Sequence, residues 1–144
     1  MVLECPHPTQ SLHPARPRSA LVTAFALLVG TGLLMAVRRF QRVEVAGDSM
    51  RPAFEPGDRL LVVAGVRIRE GEVVALPDPR RSDRLLVKRV QSVRSGLVEV
   101  TGDNDRASTD SRHFGPVPSS SLAGRVVYRY APSGRVGRIG RVRA

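Results

Sequence analysis

Apart from one long uncharged run near the N-terminus, the apolar positions of this chain come in short bursts rich in β-branched residues. They fall at Val43–Ala46, Arg59–Ala64, Glu72–Leu76, Leu85–Val93, Leu97–Thr101 and Gly124–Tyr130. Turn-forming stretches separate them, among them Pro56-Gly57-Asp58, Pro77-Asp78-Pro79 and Ser95-Gly96. Bursts of this length bounded by Gly, Pro and Asp predict strands. No apolar repeat at helical spacing and of useful length lies among them. The pattern therefore predicts an all-β domain, a small barrel or packed sheets, rather than alternating β and α units.

The uncharged run covers Ala20–Val37, eighteen positions, with Arg16 and Arg18 before it and Arg38 and Arg39 after it. As a helix rising about 1.5 Å per residue it just spans a hydrocarbon core of about 30 Å. A cleavable secretory signal has an apolar region of about 7–15 residues that ends in small side chains. Here the run ends in Met35-Ala36-Val37, and Arg38, Arg39 and Arg42 follow at once, which predicts an uncleaved, single-pass anchor in the cell membrane. Arginines on both flanks leave the side of the membrane open. The expected organisation is a disordered tail at 1–18, an anchor at 19–37, a β domain at 43–131 and a flexible basic tail at 132–144. That last stretch carries Arg135, Arg138, Arg141 and Arg143, a composition suited to a membrane surface.

A length of 144 residues leaves room for one modest domain and an appendage. Cys5 is the only cysteine, so neither an internal disulfide nor a thiolate metal cluster can form, and no metal or cofactor is expected. The net charge of +10 would suit an anionic surface or nucleic acid. With two tyrosines, four phenylalanines, no tryptophan and no recognition helix, the chain lacks the stacking platforms of a nucleic-acid binder, and nucleic acid is not an expected partner. Of the 23 basic residues, 22 are arginines; Lys88 is the single lysine. Arginine stays protonated, whereas a buried lysine can lose its proton near neutral pH. Lys88 is thus either the survivor of a compositional bias or a position that requires a neutral amine.

Three polar stretches exceed what strands and turns need. In Gly47-Asp48-Ser49-Met50-Arg51-Pro52 the serine either shapes a tight turn or supplies a hydroxyl for chemistry. In Leu85-Leu86-Val87-Lys88-Arg89-Val90 a lysine interrupts an apolar strand. Side chains alternate along a strand, so Lys88 shares a face with Leu86 and Val90. If that face is the core, the amine is desolvated and can act as a general base; otherwise it snorkels from an edge. The third stretch runs from Gly102 to Val117, a loop of capping and turn residues in which Asp110 and Arg112 are placed to pair.

Together the three stretches resemble the type I signal peptidases of bacteria. The shared features are a Ser-Met-x-Pro box with Pro-Gly-Asp soon after, a Lys-Arg-Val strand, and Gly-Asp-Asn-x3-Ser-x-Asp-Ser-Arg-x2-Gly-x-Val. The resemblance implies a serine-type endopeptidase that cuts leader peptides from precursor proteins at the membrane, without cofactor or metal. It also implies that Ser49 is the nucleophile, that Lys88 is its general base, and that Ser108 orients the amine. Asp110 and Arg112 would then brace the loop carrying Ser108. Gly47 stands where some relatives place a second oxyanion donor and offers no hydroxyl. His113, the one histidine of the β domain, is the rival base, with Asp110 as its partner. The compact length and the run Ser108–Pro118 are most similar to the proteases that mature nickel-type superoxide dismutase by removing its leader. A general signal peptidase for secreted proteins is the alternative.

Overall fold

The computed structural model describes residues 18–141. The tail expected at 1–18 lies outside them, Arg18 excepted, as do residues 142–144. The chain divides into two compact units, Met1–Met35 and Ala36–Ala144. A helix, α1, covers Arg18–Arg38. Its described side chains run from Val22 to Gly32, and Val22, Phe25, Leu27, Leu28 and Val29 are all largely exposed. Between Val22 and Gly32 the helix carries only apolar residues, glycines and two threonines, with no charged side chain. Thr31 satisfies its hydroxyl by donating to the Leu27 carbonyl at 2.7 Å. Among the described residues, no helix is long and apolar enough to cross a membrane. The anchor expected at 19–37 is thus a reading of the sequence.

The second unit is one antiparallel sheet. Its strands are β1 (Phe40–Glu44), β2 (Arg59–Val63), β3 (Val73–Asp78), β4 (Arg81–Arg94), β5 (Leu97–Thr101), β6 (Val117–Pro118), β7 (Gly124–Ala131) and β8 (Gly137–Arg138). The order is β1-β2-β7-β3-β4-β5-β6, with β8 added on β7. The expectation of all-β structure holds, but the barrel does not. No pairing joins β1 to β6 among the described residues, and a two-residue β6 offers too little backbone to close a cylinder.

Local chemistry explains the elements. β3 reads Val73-Val74-Ala75-Leu76, a continuous apolar run, because it lies mid-sheet between β7 and β4 and is buried on both faces. Val73, Ala75 and Val87 join Met50, Phe54, Leu60 and Val62 in one core. Val74, Leu76 and Val90 join Val98, Val100 and Val117 in another. Ser95 and Gly96 link β4 to β5 with φ of 48° and 80°, both positive, as a two-residue hairpin that follows the strand twist requires. β4 is 14 residues long and changes partner midway: Lys88 lies opposite Val74 of β3, and Arg89 faces both Val73 of β3 and Thr101 of β5. The loop leaving Thr101 therefore starts beside Lys88.

The flexible basic tail expected from residue 132 is instead folded as far as it is described. Ser133–Arg135 forms one 3₁₀ turn and β8 pairs with β7. Counter-charges hold it: Arg135 reaches Glu55 at 2.6 Å and buried Asp58 at 2.9 Å, and Arg129 reaches Asp58 at 3.0 Å. Asp58 also accepts the Glu55 backbone N–H at 3.0 Å, so this carboxylate ties the C-terminal segment to the turn behind Ser49. Asp58→Ala would leave two guanidiniums without their shared partner. We expect it to destabilise the protein by about 3 kcal/mol, read as a lower urea midpoint.

Candidate active site

Ser49 sits in the connection from β1 to β2. The Arg51 N–H donates to the Asp48 carbonyl at 3.1 Å and the Phe54 N–H to the Met50 carbonyl at 2.9 Å, so the chain turns twice within seven residues. Met50 and Phe54 enter the core as anchors, while Ser49 is left half-buried. Between them they fix a serine at the surface on a turn that cannot swing freely.

Lys88 is 2% exposed, the largest of the fully buried side chains. Strand alternation had placed it with Leu86 and Val90, and that face is a core face. Its Nζ donates to Ser108 Oγ at 2.9 Å, and Ser108 Oγ donates to Asp110 Oδ2 at 2.7 Å. Asp110 is buried, accepts the Gly102 N–H at 3.0 Å and receives a two-pronged contact from Arg112, Nε at 2.9 Å and Nη2 at 2.8 Å. It also caps α2, the single turn Ser111–Phe114. Lys88, Ser108, Asp110 and Arg112 thus form one chain of contacts running from the core to the surface.

Electrostatics follow from that geometry. Burial pushes the Lys88 amine below its ordinary value; Asp110 opposes the shift, while Arg84 and Arg112 add to it. Arg112 holds the Asp110 carboxyl well below the usual carboxylate range against the effect of burial, helped by Ser108 and the Gly102 N–H. Asp110 in turn raises the Arg112 guanidinium. The carboxylate stays charged and spent on its own partners, and the amine is left inclined to neutrality.

Ser49 and Lys88 line one cleft of about 320 Å³. Residues 44–50 and residues 84–88 make two stretches of its wall, and Ala107 and Thr109 add to it. Gly47 lines it too, and a Cβ there would meet nothing within 4 Å. His113 does not line the cleft; it is exposed, with Nδ1 at 3.9 Å from Asp110 Oδ1. The rival triad thus lacks its base at the hydroxyl. Among the described residues, no three His, Cys, Asp or Glu side chains are placed to hold a metal ion.

Three contributors were not singled out in the sequence. Asn104 donates its backbone N–H to the Ser49 carbonyl at 2.9 Å and its side-chain amide to the Asp48 carbonyl at 3.2 Å, joining the two loops. Arg89 clamps Asp103 with Nε at 2.7 Å and Nη2 at 2.6 Å and fixes the start of the same loop. Arg84 lines the cleft four positions before Lys88. Gly-Asp-Asn stood inside the recognised pattern, yet nothing in the order of residues says that Asn104 reaches back to Asp48 and Ser49.

A serine hydroxyl and a desolvated amine on one cleft are the pair that serine-type hydrolysis needs. The chain matches the family described as signal peptidase, peptidase S26, over residues 18–93 and 91–131, and it belongs to that family of serine-type peptidases. It is 32% identical over 146 residues to mitochondrial inner membrane protease subunit 2 of Schizosaccharomyces pombe, covering 80% of this chain and 81% of that one. It is 35% identical over 88 residues to mitochondrial ATP-independent inner membrane protease subunit 1a of Arabidopsis thaliana, covering 46% of this chain and 52% of that one. A shorter match, 46% identical over 44 residues, is to thylakoidal processing peptidase 1 of Arabidopsis thaliana, covering 31% and 13%.

Gly102 is closely hemmed in by both Ser49 and Ser108. A Cβ there would lie 2.3 Å from Ser108 Oγ and 2.5 Å from the Ser49 carbonyl oxygen, so both must move. Displacements near 1 Å at a reacting centre can cost about 100-fold in rate. Gly102→Ala is expected to lose at least about that much peptidase activity while the far-ultraviolet circular dichroism of the sheet is kept.

Proposed function

We propose that this chain is a membrane-anchored endopeptidase of signal peptidase I type that removes N-terminal leader peptides, with Ser49 as nucleophile and Lys88 as general base. The observation that carries the reading is a buried amine, its pKa lowered, on the same cleft as a half-buried serine. The neutral amine takes the Ser49 hydroxyl proton as Oγ bonds to the scissile carbonyl carbon. The Ser49 backbone N–H faces the developing oxyanion, a contact worth about 3 kcal/mol where such a donor has been removed elsewhere. The ammonium then protonates the leaving amine as the C–N bond breaks. Water, deprotonated by the same amine, hydrolyses the acyl-enzyme and restores Ser49. Ser108 accepts one amine N–H and, since its own proton goes to Asp110, points the lysine lone pair toward the cleft.

The anchor belongs to the same proposal. The eighteen uncharged positions Ala20–Val37, and a helix over them with no charged side chain, support insertion of α1 in a bilayer. Relatives named for the mitochondrial inner membrane and the thylakoid support a membrane setting.

For the substrate, two readings stand level. The likeness of Ser108–Pro118 to the nickel superoxide dismutase maturation proteases favours that precursor, and the anchor favours secreted precursors in general. Incubating the purified chain with each precursor, followed by N-terminal sequencing, decides between them; a cut only in secretory precursors removes the dismutase role.

Ser49→Ala is expected to abolish cleavage of any precursor without unfolding the chain, and Lys88→Arg to do nearly the same, because a guanidinium stays protonated. The base works only when neutral, so kcat/KM should rise with pH through the lowered amine value and reach half its maximum below 10.5. Near-normal turnover by the arginine variant, or a rate flat from pH 6 to 10, removes Lys88 as the base.

A further inference from the structure

Resting on the leader-cleavage reading, we propose that Arg84 is a specificity residue that selects an acidic side chain in the substrate about four residues from the scissile bond. Arg84 lines the same cleft as Ser49 and Lys88, on the wall that Lys88 occupies four positions later. Strand backbone advances about 3.3 Å per residue, so a peptide extended along that wall passes Arg84 about four residues from the carbonyl under attack.

The guanidinium is held in place rather than left to wander. Asp78 lies at the end of β3, and its carboxylate is out of solvent. Arg84 reaches Oδ2 through Nε at 3.2 Å and also through Nη2. Arg80 meets the same carboxylate with its Nε at 3.2 Å to Oδ1, its Nη2 at 3.3 Å to Oδ2 and its backbone N–H at 3.0 Å to Oδ1. Burial works to raise the Asp78 carboxyl, yet the Arg80 and Arg84 contacts outweigh it and bring it to about 2, so it is ionised wherever the peptidase works.

Two guanidiniums share one carboxylate, which leaves one positive charge over. The neighbouring Arg81 and Asp83 pair with each other at 3.2 Å and cancel. Glu44, which also lines the cleft, pairs with Arg59 at 3.2 Å and brings no net charge. Arg84 is half exposed, and its Nη1 edge has no protein partner among the described residues. That end of the cleft presents a fixed, uncompensated fork of N–H donors, the form that a carboxylate accepts best.

The test is a quenched-fluorescence peptide with alanine on both sides of the scissile bond, in which each of six positions on either side is replaced in turn by glutamate or lysine. With the full chain in detergent, kcat/KM for the glutamate peptide should exceed that for alanine about 3- to 5-fold at one position near the fourth, the scale of a half-exposed ion pair. Lysine there should be disfavoured. Arg84→Ala should erase the preference and Arg84→Glu reverse it, while Arg84→Lys keeps part of it. Asp78 retains Arg80 in each variant, so the hairpin keeps its buried ion pair. Ratios taken on one variant cancel any general change in Lys88. A glutamate preference that survives Arg84→Ala, or no charge preference at any position, overturns the proposal while cleavage of the alanine peptide leaves the leader-cleavage reading standing. Failure to cut any peptide, with wild type equal to Ser49→Ala, overturns both.

Discussion

Burying an amine is costly unless something else in the fold makes it tolerable, and the Lys88 side chain is the point around which this domain is organised. Its stem fills space in a core that includes Val74 and Val90, and its tip meets one hydroxyl rather than a carboxylate. Had Asp110 approached the amine directly, the ion pair would have locked the proton in place. Ser108 stands between them, and the carboxylate is occupied by Arg112 and the Gly102 N–H. The hydroxyl transmits orientation while the charge pairing is settled one step further out.

The loops that frame this amine come from distant parts of the chain and touch without side chains in the way. Asn104 carries no charge, yet it stitches Asp48 and Ser49 to the loop that begins at Gly102. The absence of a Cβ at Gly102 is what lets the Ser49 carbonyl and the Ser108 hydroxyl both approach its backbone. Arg89, one residue after Lys88, points to the other face of β4 and holds Asp103. A single strand thus places the amine on one side and anchors the loop that orients it from the other.

Much of this was legible beforehand because strand periodicity is local. The alternation Leu86, Lys88, Val90 put the amine on one face with two apolar residues, leaving core or edge open, and the bursts from Arg59 onward fell within a few residues of β2, β3, β4, β5 and β7. β6 and β8 were missed: two residues apiece leave no periodicity to read. β1 begins at Phe40, earlier than the apolar burst at Val43, since its polar residues pair through backbone with β2 and need no core. A small barrel and packed sheets were both expected because strand count and spacing cannot tell which edges meet. The ordered segment at 133–138 was hidden for a different reason: its Arg135 is matched by Glu55 and Asp58, over 70 residues away, and like-charged composition reads as a solvated tail until its partners are located. The family pattern supplied Ser49, Ser108, Asp110 and Arg112, whereas Arg84, which lies outside that pattern, emerged only once the cleft walls could be seen.

The order of strands has a consequence for the cleft. β2, which follows the turn bearing Ser49, pairs with neither β3 nor β4; β7 lies between, pairing with β2 on one side and β3 on the other. A nascent chain that has emerged only through residue 123 has both stretches of the cleft wall but lacks the strand that splices them into one sheet. The spacing across the cleft thus depends on a strand that contributes no residue to its lining.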